Sequence, residues 1–472
     1  MVTRRRFLKG SLAAGAVALL PWVPRVAEAA TLRIRPSWST FCASEMFPVY
    51  IEAIRTMQAN LNSADPASWS YWVDVHKNFC PHRTAYFLAW HRGFLFRLEA
   101  QLRKVAGNSN LTLPYWDYYT NPVMPVEFTD PASPLYVLNR RNTDVTAALA
   151  LDAFADSVVN FQSGLVNAFE STLESLPHNP VHNIIGGAMG SVTVSPRDPI
   201  FWLHHANVDR LWAAWVSAGN GRTMPPKSDT YWKGSFVYGA ALPTMARTWA
   251  FDTLGLGYQY EDGSMPVALP APPPPAPVSA VTMQAFSSTL PQALVMTLGS
   301  GQPLALDERS VTIKVPLDAA GRSTVRSLLL RQPAKGAPPA VNSSLRVVLD
   351  GVRLTPLGKE GGFFHKLYIN LPTTPGLSQP ESRYLLGTLG PFEITSMLNH
   401  ERLHGGKMHA DNDPVQLSFP ITDALREIWP EQLEVLTISF VRMDNGTPRK
   451  GRVITVQELR VDASDPAAMP AM

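Results

Sequence analysis

A chain of 472 residues exceeds what one hydrophobic core usually serves, so two domains are expected. With 45% hydrophobic and 17% charged residues, its composition is that of a folded globular protein and excludes a disordered or fibrous chain. A formal charge of +3 in a chain of this size, with no basic patch, argues against a nucleic-acid partner.

The N-terminus reads as processing rather than fold. Thr3-Arg4-Arg5-Arg6-Phe7-Leu8-Lys9 precedes an apolar run from Leu12 to Leu20, and Ala27-Glu28-Ala29 offers a small-residue cleavage site. This is an export signal of the twin-arginine kind, and it places the mature chain in the periplasm or outside a bacterial cell. The apolar run is too short to span a bilayer, so no stable membrane insertion is expected. Removing residues 1–29 takes five basic side chains and one acid from totals of 41 and 38, leaving a charge of about −1. The twin-arginine machinery carries folded proteins, so a metal centre can be assembled before export.

From Ser44 to Asn62 apolar residues recur at helical spacing, with Pro48 in the first turn. Asp65-Pro66 opens a second helix that runs to about Phe79, with His76 near its end, and Cys80-Pro81 breaks it. A third helix, from Thr84 to Ala106, stops at Gly107. The aromatic stretch LPYWDYYTNP and residues 120–150 read as irregular chain. A helix from Ala155 to Leu173 leads into ESLPHNPVHNIIGGAMGSVTVSPRDPIFWLHHANVDRLW. There His178 and His182 stand at i, i+4 on one helical face, with Ser175 as cap and Pro177 in the first turn. Asp198-Pro199 starts the next helix, which carries His204, His205 and Asp209. The small residues Gly186, Gly187, Gly190 and Ser191 between the two helices predict an open entrance.

A composition shift follows. Ala268 to Pro277 (ALPAPPPPAP) is a stiff linker, and beyond it the hydrophobic period changes to two. Val311 to Val315, Leu345 to Leu349, Phe363 to Leu371 and Leu433 to Val441 read as strands of a β-sandwich. His400, His404 and His409 in NHERLHGGKMH read as solvated loop histidines rather than a metal-loading site. The expected organisation is a signal over 1–29, a mainly α catalytic domain over 30–262, a linker over 263–280, a β-rich domain over 281–462 and a disordered tail over 463–472.

The chemistry lies in the histidines. HKNFCPHRTAYFLAWHRGFLFRLE supplies His76, His82 and His91, with Glu99 two turns after His91 on the same side. With the downstream group this makes two trios, each enough to hold one metal ion. Nitrogen-only donors suit copper or zinc better than a hard, oxygen-seeking cation. Two ions held close can bind a small ligand between them. The Glu with Glu-x-x-His pattern of di-iron bundles is missing. A hydrolytic zinc helix would need a general base where Asn179 stands. Six imidazoles without an anionic ligand favour copper cycling between Cu(I) and Cu(II).

HRTAYFLAWHRGFLFRLE and DPIFWLHHANVD resemble the two copper-binding signatures of the tyrosinase, catechol oxidase and hemocyanin family of type-3 copper proteins. The resemblance covers roughly residues 36–262 and ends at Tyr258-Gln259-Tyr260. It implies a four-helix-bundle di-copper core in which His76, His82 and His91 bind copper A and His178, His182 and His205 bind copper B. His204 would be a hydrogen-bonding neighbour of the ligands. The gap from His76 to His82 is shorter than in many relatives. Cys80-Pro81-His82 resembles the Cys-x-His in which some members join sulfur to imidazole as a thioether; a Cys42–Cys80 disulfide and two free thiols are the alternatives. The implied activity is O2-dependent oxidation of o-diphenols to o-quinones, with tyrosine-type monophenol hydroxylation. For the latter, Glu174 and Asn179 fill the positions that hold a proton-accepting water, a general base acting through one water. A diphenol-only catechol oxidase, an o-aminophenol oxidase and a hemocyanin-like O2-binding protein use the same ligands. The β-rich domain resembles the shield of longer members, from which a side chain plugs the site. Trp90, Phe94, Trp202, Trp212 and Trp215 are expected in the core. Asp117 and Asp209 are expected to orient or cap, and Arg92 and Arg210 to pair with carboxylates.

Overall fold

The computed structural model describes residues 32–82, 84–270, 284–286, 297–300, 303–330, 344–371, 382–404, 412–428, 433–445 and 448–464. The expected export signal, most of the proline-rich linker and the end of the tail lie outside them.

The helical half starts with strand β1 (Arg33–Arg35) and helix α1 (Trp38–Cys42), followed by α2 (Met46–Ala59), α3 (Trp69–Phe79) and α4 (Phe87–Ala106). After a long irregular stretch come α5 (Phe169–Leu173), α6 (Asn179–Ile185) and α7 (Ile200–Ser217). Strands β2 (Ser235–Phe236) and β3 (Met245–Ala246) form a small ladder, and β4 (Tyr258–Tyr260) pairs in parallel with β1, Arg33 opposite Tyr258 and Arg35 opposite Tyr260. The Tyr-Gln-Tyr motif thus ties the end of this half to its beginning. Helix α2 buries one stripe (Tyr50, Ala53, Ile54, Met57), as its amphipathic spacing requires. Helices α4 and α7 are buried around most of their circumference and form the centre of the bundle.

Two starts fall three or four residues later than the sequence suggests. Asp65 accepts from the Ala67 amide in a turn at 2.9 Å, which delays α3, and Thr84 donates to the Pro81 carbonyl at 2.8 Å in the turn before α4. The helix expected over Ala155–Leu173 is corrected to Phe169–Leu173. Gly164 and Asn167 take positive φ (93° and 50°), and Asn160 bridges to Ala168 and Thr223 instead of continuing a helix. The Ser175-capped helix is also corrected. Glu174–His178 is a wide π-type turn broken by an extended Leu176, and regular helix resumes at Asn179 with Pro180 in its first turn. Asp198 does serve the start of α7, accepting from the Ile200 amide at 3.1 Å.

The β-rich half has two sheets. One runs β11 (Leu385–Leu389), β10 (Phe363–Ile369), β13 (Val435–Asp444), β8 (Val311–Pro316), β5 (Gln284–Phe286). The other runs β6 (Thr297–Ser300), β15 (Glu458–Ser464), β9 (Ser344–Leu354), β14 (Ile454–Val456), β7 (Leu304–Leu306), with β12 (Val415–Pro420) also on β9. Strand β15 runs to Ser464, so Ala463 and Ser464 belong to the sheet and not to a disordered tail. Helices α8 (Ala319–Leu330), α9 (Pro356–Lys359), α10 (Pro391–His404) and α11 (Thr422–Ile428) interrupt the strands. His400 and His404 therefore lie on a helix and not in a loop, while His409 is outside the described residues. Alternation along β10 sends Phe363, Leu367 and Ile369 into the β core and Phe364 into the helical core. One strand thereby packs against both halves.

Candidate metal centre

Two clusters of metal-ligating groups occur among the described residues, and both are buried: His76, Cys80, His82 and His91; and His178, His182, His204 and His205. Within each, the ligating atoms lie within 4.8 Å of one another. His76 comes from the last turn of α3, His82 from the turn after Pro81, and His91 from the second turn of α4. His178 ends the π-type turn, His182 sits on α6, and His205 on α7. The clusters abut: the rings of His91 and His205 stack at 4.3 Å and 14°, and those of His82 and His178 are 5.9 Å apart.

Backbone and side-chain acceptors fix the tautomers. Nδ1 of His76 donates to the Val192 carbonyl (2.8 Å), that of His91 to Phe87 (2.8 Å) and that of His182 to Met189 (2.9 Å), while His178 Nδ1 donates to Asn179 Oδ1 (2.8 Å). A proton on Nδ1 leaves a bare lone pair on Nε2. Three of those lone pairs point at the two remaining ligand rings, His82 and His205. His76 Nε2 is 3.3 Å from His82 Nε2, and His178 and His182 Nε2 are each 3.4 Å from His205 Nε2. Burial, followed by the neighbouring imidazoles, lowers the pKa of His76, His91, His178, His182 and His205 well below the ordinary value. Neutral rings with converging lone pairs and few protons to share among them are the donor set of a soft or borderline cation, and their juxtaposition fits one such ion per cluster.

His204 departs from its expected role. Neither ring nitrogen has a protein partner, its ring packs 5.2 Å from His178, and burial lowers its pKa to about 3. Cys42 and Cys80 are both free, which removes the disulfide alternative. Cys80 Sγ lies in the first cluster, 3.5 Å from His91 Nε2. Glu174 is buried, with Oε1 3.5 Å from His82 Nδ1. Both Glu174 and Asn179 border a cavity of about 620 Å³ that runs between the halves past Thr388 and Glu393.

Arg92 and Arg210 pair with carboxylates, as expected. Asp209 accepts from Arg92 at 2.6 Å and from the Tyr258 and Tyr260 hydroxyls at 2.6 Å each, and Arg210 pairs with Asp117 and Asp262 at 3.2 Å. Glu99 points away from the histidines, to Arg35 and Arg103 at 2.6 Å each. The five named aromatics, Trp90, Phe94, Trp202, Trp212 and Trp215, are core.

The entrance is not open, which corrects the sequence reading. Phe392, in the first turn of α10, lays its ring on His182 at 4.0 Å and 17°, with His82 and His178 at 5.3 and 5.5 Å. Asn183 holds it there: its Oδ1 accepts from the Phe392 amide and its Nδ2 donates to Glu393, both at 2.8 Å. Gly186, and Gly390 from the β-rich half, are contact points between the halves. A Cβ on Gly186 (φ +65°) would sit 2.7 Å from the Glu360 carbonyl oxygen, and one on Gly390 would sit 2.6 Å from the Asn183 amide. Gly390-Pro391 does mark a helix start, but no local signal says what that start points at. Phe392, Asn183 and Glu393 are the residues that sequence reasoning missed.

The profile of the common central domain of tyrosinase matches residues 53–144 and 130–218, and that of the twin-arginine translocation signal matches 1–21. A tyrosinase of Hahella sp. (strain CCB-MM4) is 35% identical over 210 residues, 34% of this chain and 45% of that protein. A chloroplastic polyphenol oxidase of Spinacia oleracea is 26% identical over 303 residues, 49% and 47% of the two chains. The chain thus spans about half the length of the curated relatives it matches. Latent apple tyrosinase shares the fold at a TM-score of 0.55 and 21% identity, over 93% of this chain and 99% of that one.

Proposed function

We propose, since this chain belongs to the tyrosinase and polyphenol oxidase family, that it is a copper-dependent phenol oxidase in a covered state. One observation carries the reading: two buried histidine clusters, the first with Cys80 among its rings, stacked on each other through His91 and His205. The cofactor is a pair of copper ions, with His76, His82 and His91 assigned to copper A and His178, His182 and His205 to copper B. His205 is preferred over His204 because its Nε2 faces both His178 and His182. The copper pair supplies the binding of O2 and the two-electron oxidation of an o-diphenol to an o-quinone. The protein fixes the tautomers of His76, His91, His178 and His182, and Phe87 and Phe201 pack against the rings and exclude water. A thioether from Cys80 to His82 is supported by the burial of that thiol inside the first cluster.

We assign monophenol hydroxylation to the same site. Glu174 takes up the phenol proton through a water in the seam cavity, and Asn179 orients His178 and borders that water. Phenols reach the coppers once the β-rich half withdraws Phe392. After twin-arginine export the mature chain works in the periplasm or outside the cell. Among the described residues no helix is long and apolar enough to cross a membrane. The test is copper content and oxygen consumption of the full chain with tyrosine, catechol and o-aminophenol. Two coppers with tyrosine and catechol turnover support the reading. Turnover of catechol alone removes the hydroxylase, and two coppers that bind O2 reversibly without turnover even after Phe392→Ala uncovers the site would make it a carrier.

A further inference from the structure

Each of four cluster histidines rests its Nδ1–H on an acceptor, and one of those acceptors is itself hydrogen-bonded onward to a carboxyl group. The Phe87 carbonyl, which receives His91 Nδ1–H at 2.8 Å, belongs to the same peptide unit as the Leu88 amide. That amide donates to Glu170 Oε1 at 3.1 Å. His91, the Phe87–Leu88 peptide and Glu170 therefore form one line. The corresponding peptide behind His182 closes within its own loop, since the Gly190 amide donates to the Gly187 carbonyl at 3.3 Å. Glu170 is fully buried in the first turn of α5. It also accepts from the Ser163 amide at 3.2 Å and the Tyr231 hydroxyl at 3.4 Å. Tyr86, at the cap of α4, gives no side-chain bond to the helix start, so Glu170 satisfies one of the orphan amides from across the fold.

From this geometry we infer that Glu170 is a positioning residue for copper A, acting on His91 through the Phe87–Leu88 peptide; the inference rests on the copper reading of His91. A peptide whose N–H is held by a strong acceptor has a more basic carbonyl, because successive hydrogen bonds polarise one another. A stronger pull on Nδ1–H makes Nε2 a better donor and holds the ring in plane. This is the role a carboxylate plays when it touches a metal-bound histidine directly, transmitted here by one peptide. Burial pushes the Glu170 carboxyl up to about 8, against the Ser163 and Leu88 amides that favour its anion; in either charge state Oε1 keeps a lone pair for Leu88.

The test uses the copper-loaded full chain with Glu170→Leu, which removes the acceptor, and Glu170→Gln, which keeps it. In the diamagnetic Cu(I) form, the His91 Nδ1–H proton resonance moves upfield in E170L and returns toward its wild-type position in E170Q. One of the two coppers binds about 10- to 100-fold more weakly in E170L, the size expected for a partner behind a ligand, and E170Q restores it. Should E170L not fold, Glu170→Asp, which draws the oxygen back by one methylene, must give the same shift in smaller degree. An unmoved His91 resonance, or both coppers weakening in step, overturns the inference. A wild-type chain holding fewer than two coppers overturns the copper reading instead.

Discussion

Truncating Phe392 tests the covered state most directly. Its ring is fully buried against three cluster histidines, and none of its contacts there survives if the β-rich half withdraws. Burying a phenylalanine side chain contributes about 1.5–3 kcal/mol, and each 1.36 kcal/mol is about tenfold in population. Phe392→Ala is therefore expected to raise kcat/KM for catechol by about 10- to 150-fold, by weakening the covered state and by vacating the ring's place over His182. The latch is otherwise intact. Asn183 still holds Glu393, Thr395 still meets the Val192 amide, and Asn399 and Arg402 still reach the Lys77 carbonyl. Oxygen uptake at matched copper content is the assay, with thermal unfolding as control. If turnover stays at the wild-type level while both coppers are retained, Phe392 does not limit access and the argument fails.

Three further outcomes follow from the same geometry. Glu174→Gln should lower tyrosine hydroxylation by about 10²–10⁴-fold and leave catechol oxidation near its starting value, as initial rates with each substrate will report. Asp209→Asn breaks a buried cluster with Arg35 and Arg92 and should cost about 3–5 kcal/mol in denaturant unfolding. Burial raises the Asp209 pKa, but Arg92 and Arg35 outweigh it and hold it below the usual 3.8, so its stabilisation is present above that value and is lost as pH falls through the depressed one. The difference between variant and wild type should shrink over that acid window. Finally, the intact mass of the copper-loaded, oxygen-exposed chain should fall short of its sequence mass by two hydrogens if Cys80 and His82 are joined, and Cys80→Ser should abolish the deficit. A full-mass wild-type chain means no thioether.

Short-range order was legible. The breaks at Cys80-Pro81 and Gly107, the strands over Val311–Pro316 and Phe363–Ile369 and the start of α7 all follow from proline, glycine and period within a few residues. The helix expected over Ala155–Leu173 failed because Asn160 and Asn167 answer to Thr223 and to a left-handed turn, and apolar spacing registers neither. Glu170 was unreadable for a related reason: its link to α4 and its tyrosine partner, Leu88 and Tyr231, lie 82 and 61 residues away along the chain.

By itself the sequence determined which residue types could meet a metal, because helical spacing puts imidazoles on one face and turns hand the chain from one helix to the next. Only the tertiary structure decided how those faces are closed. It set Nε2 against Nε2, ran a carboxyl group behind His91 through a peptide, and brought Phe392 from another half onto His182. The spacing of histidines is a local property of a helix. What covers them depends on the packing of segments about two hundred residues apart in the chain, such as Asn183 against Phe392, whose contacts have no period and no fixed separation.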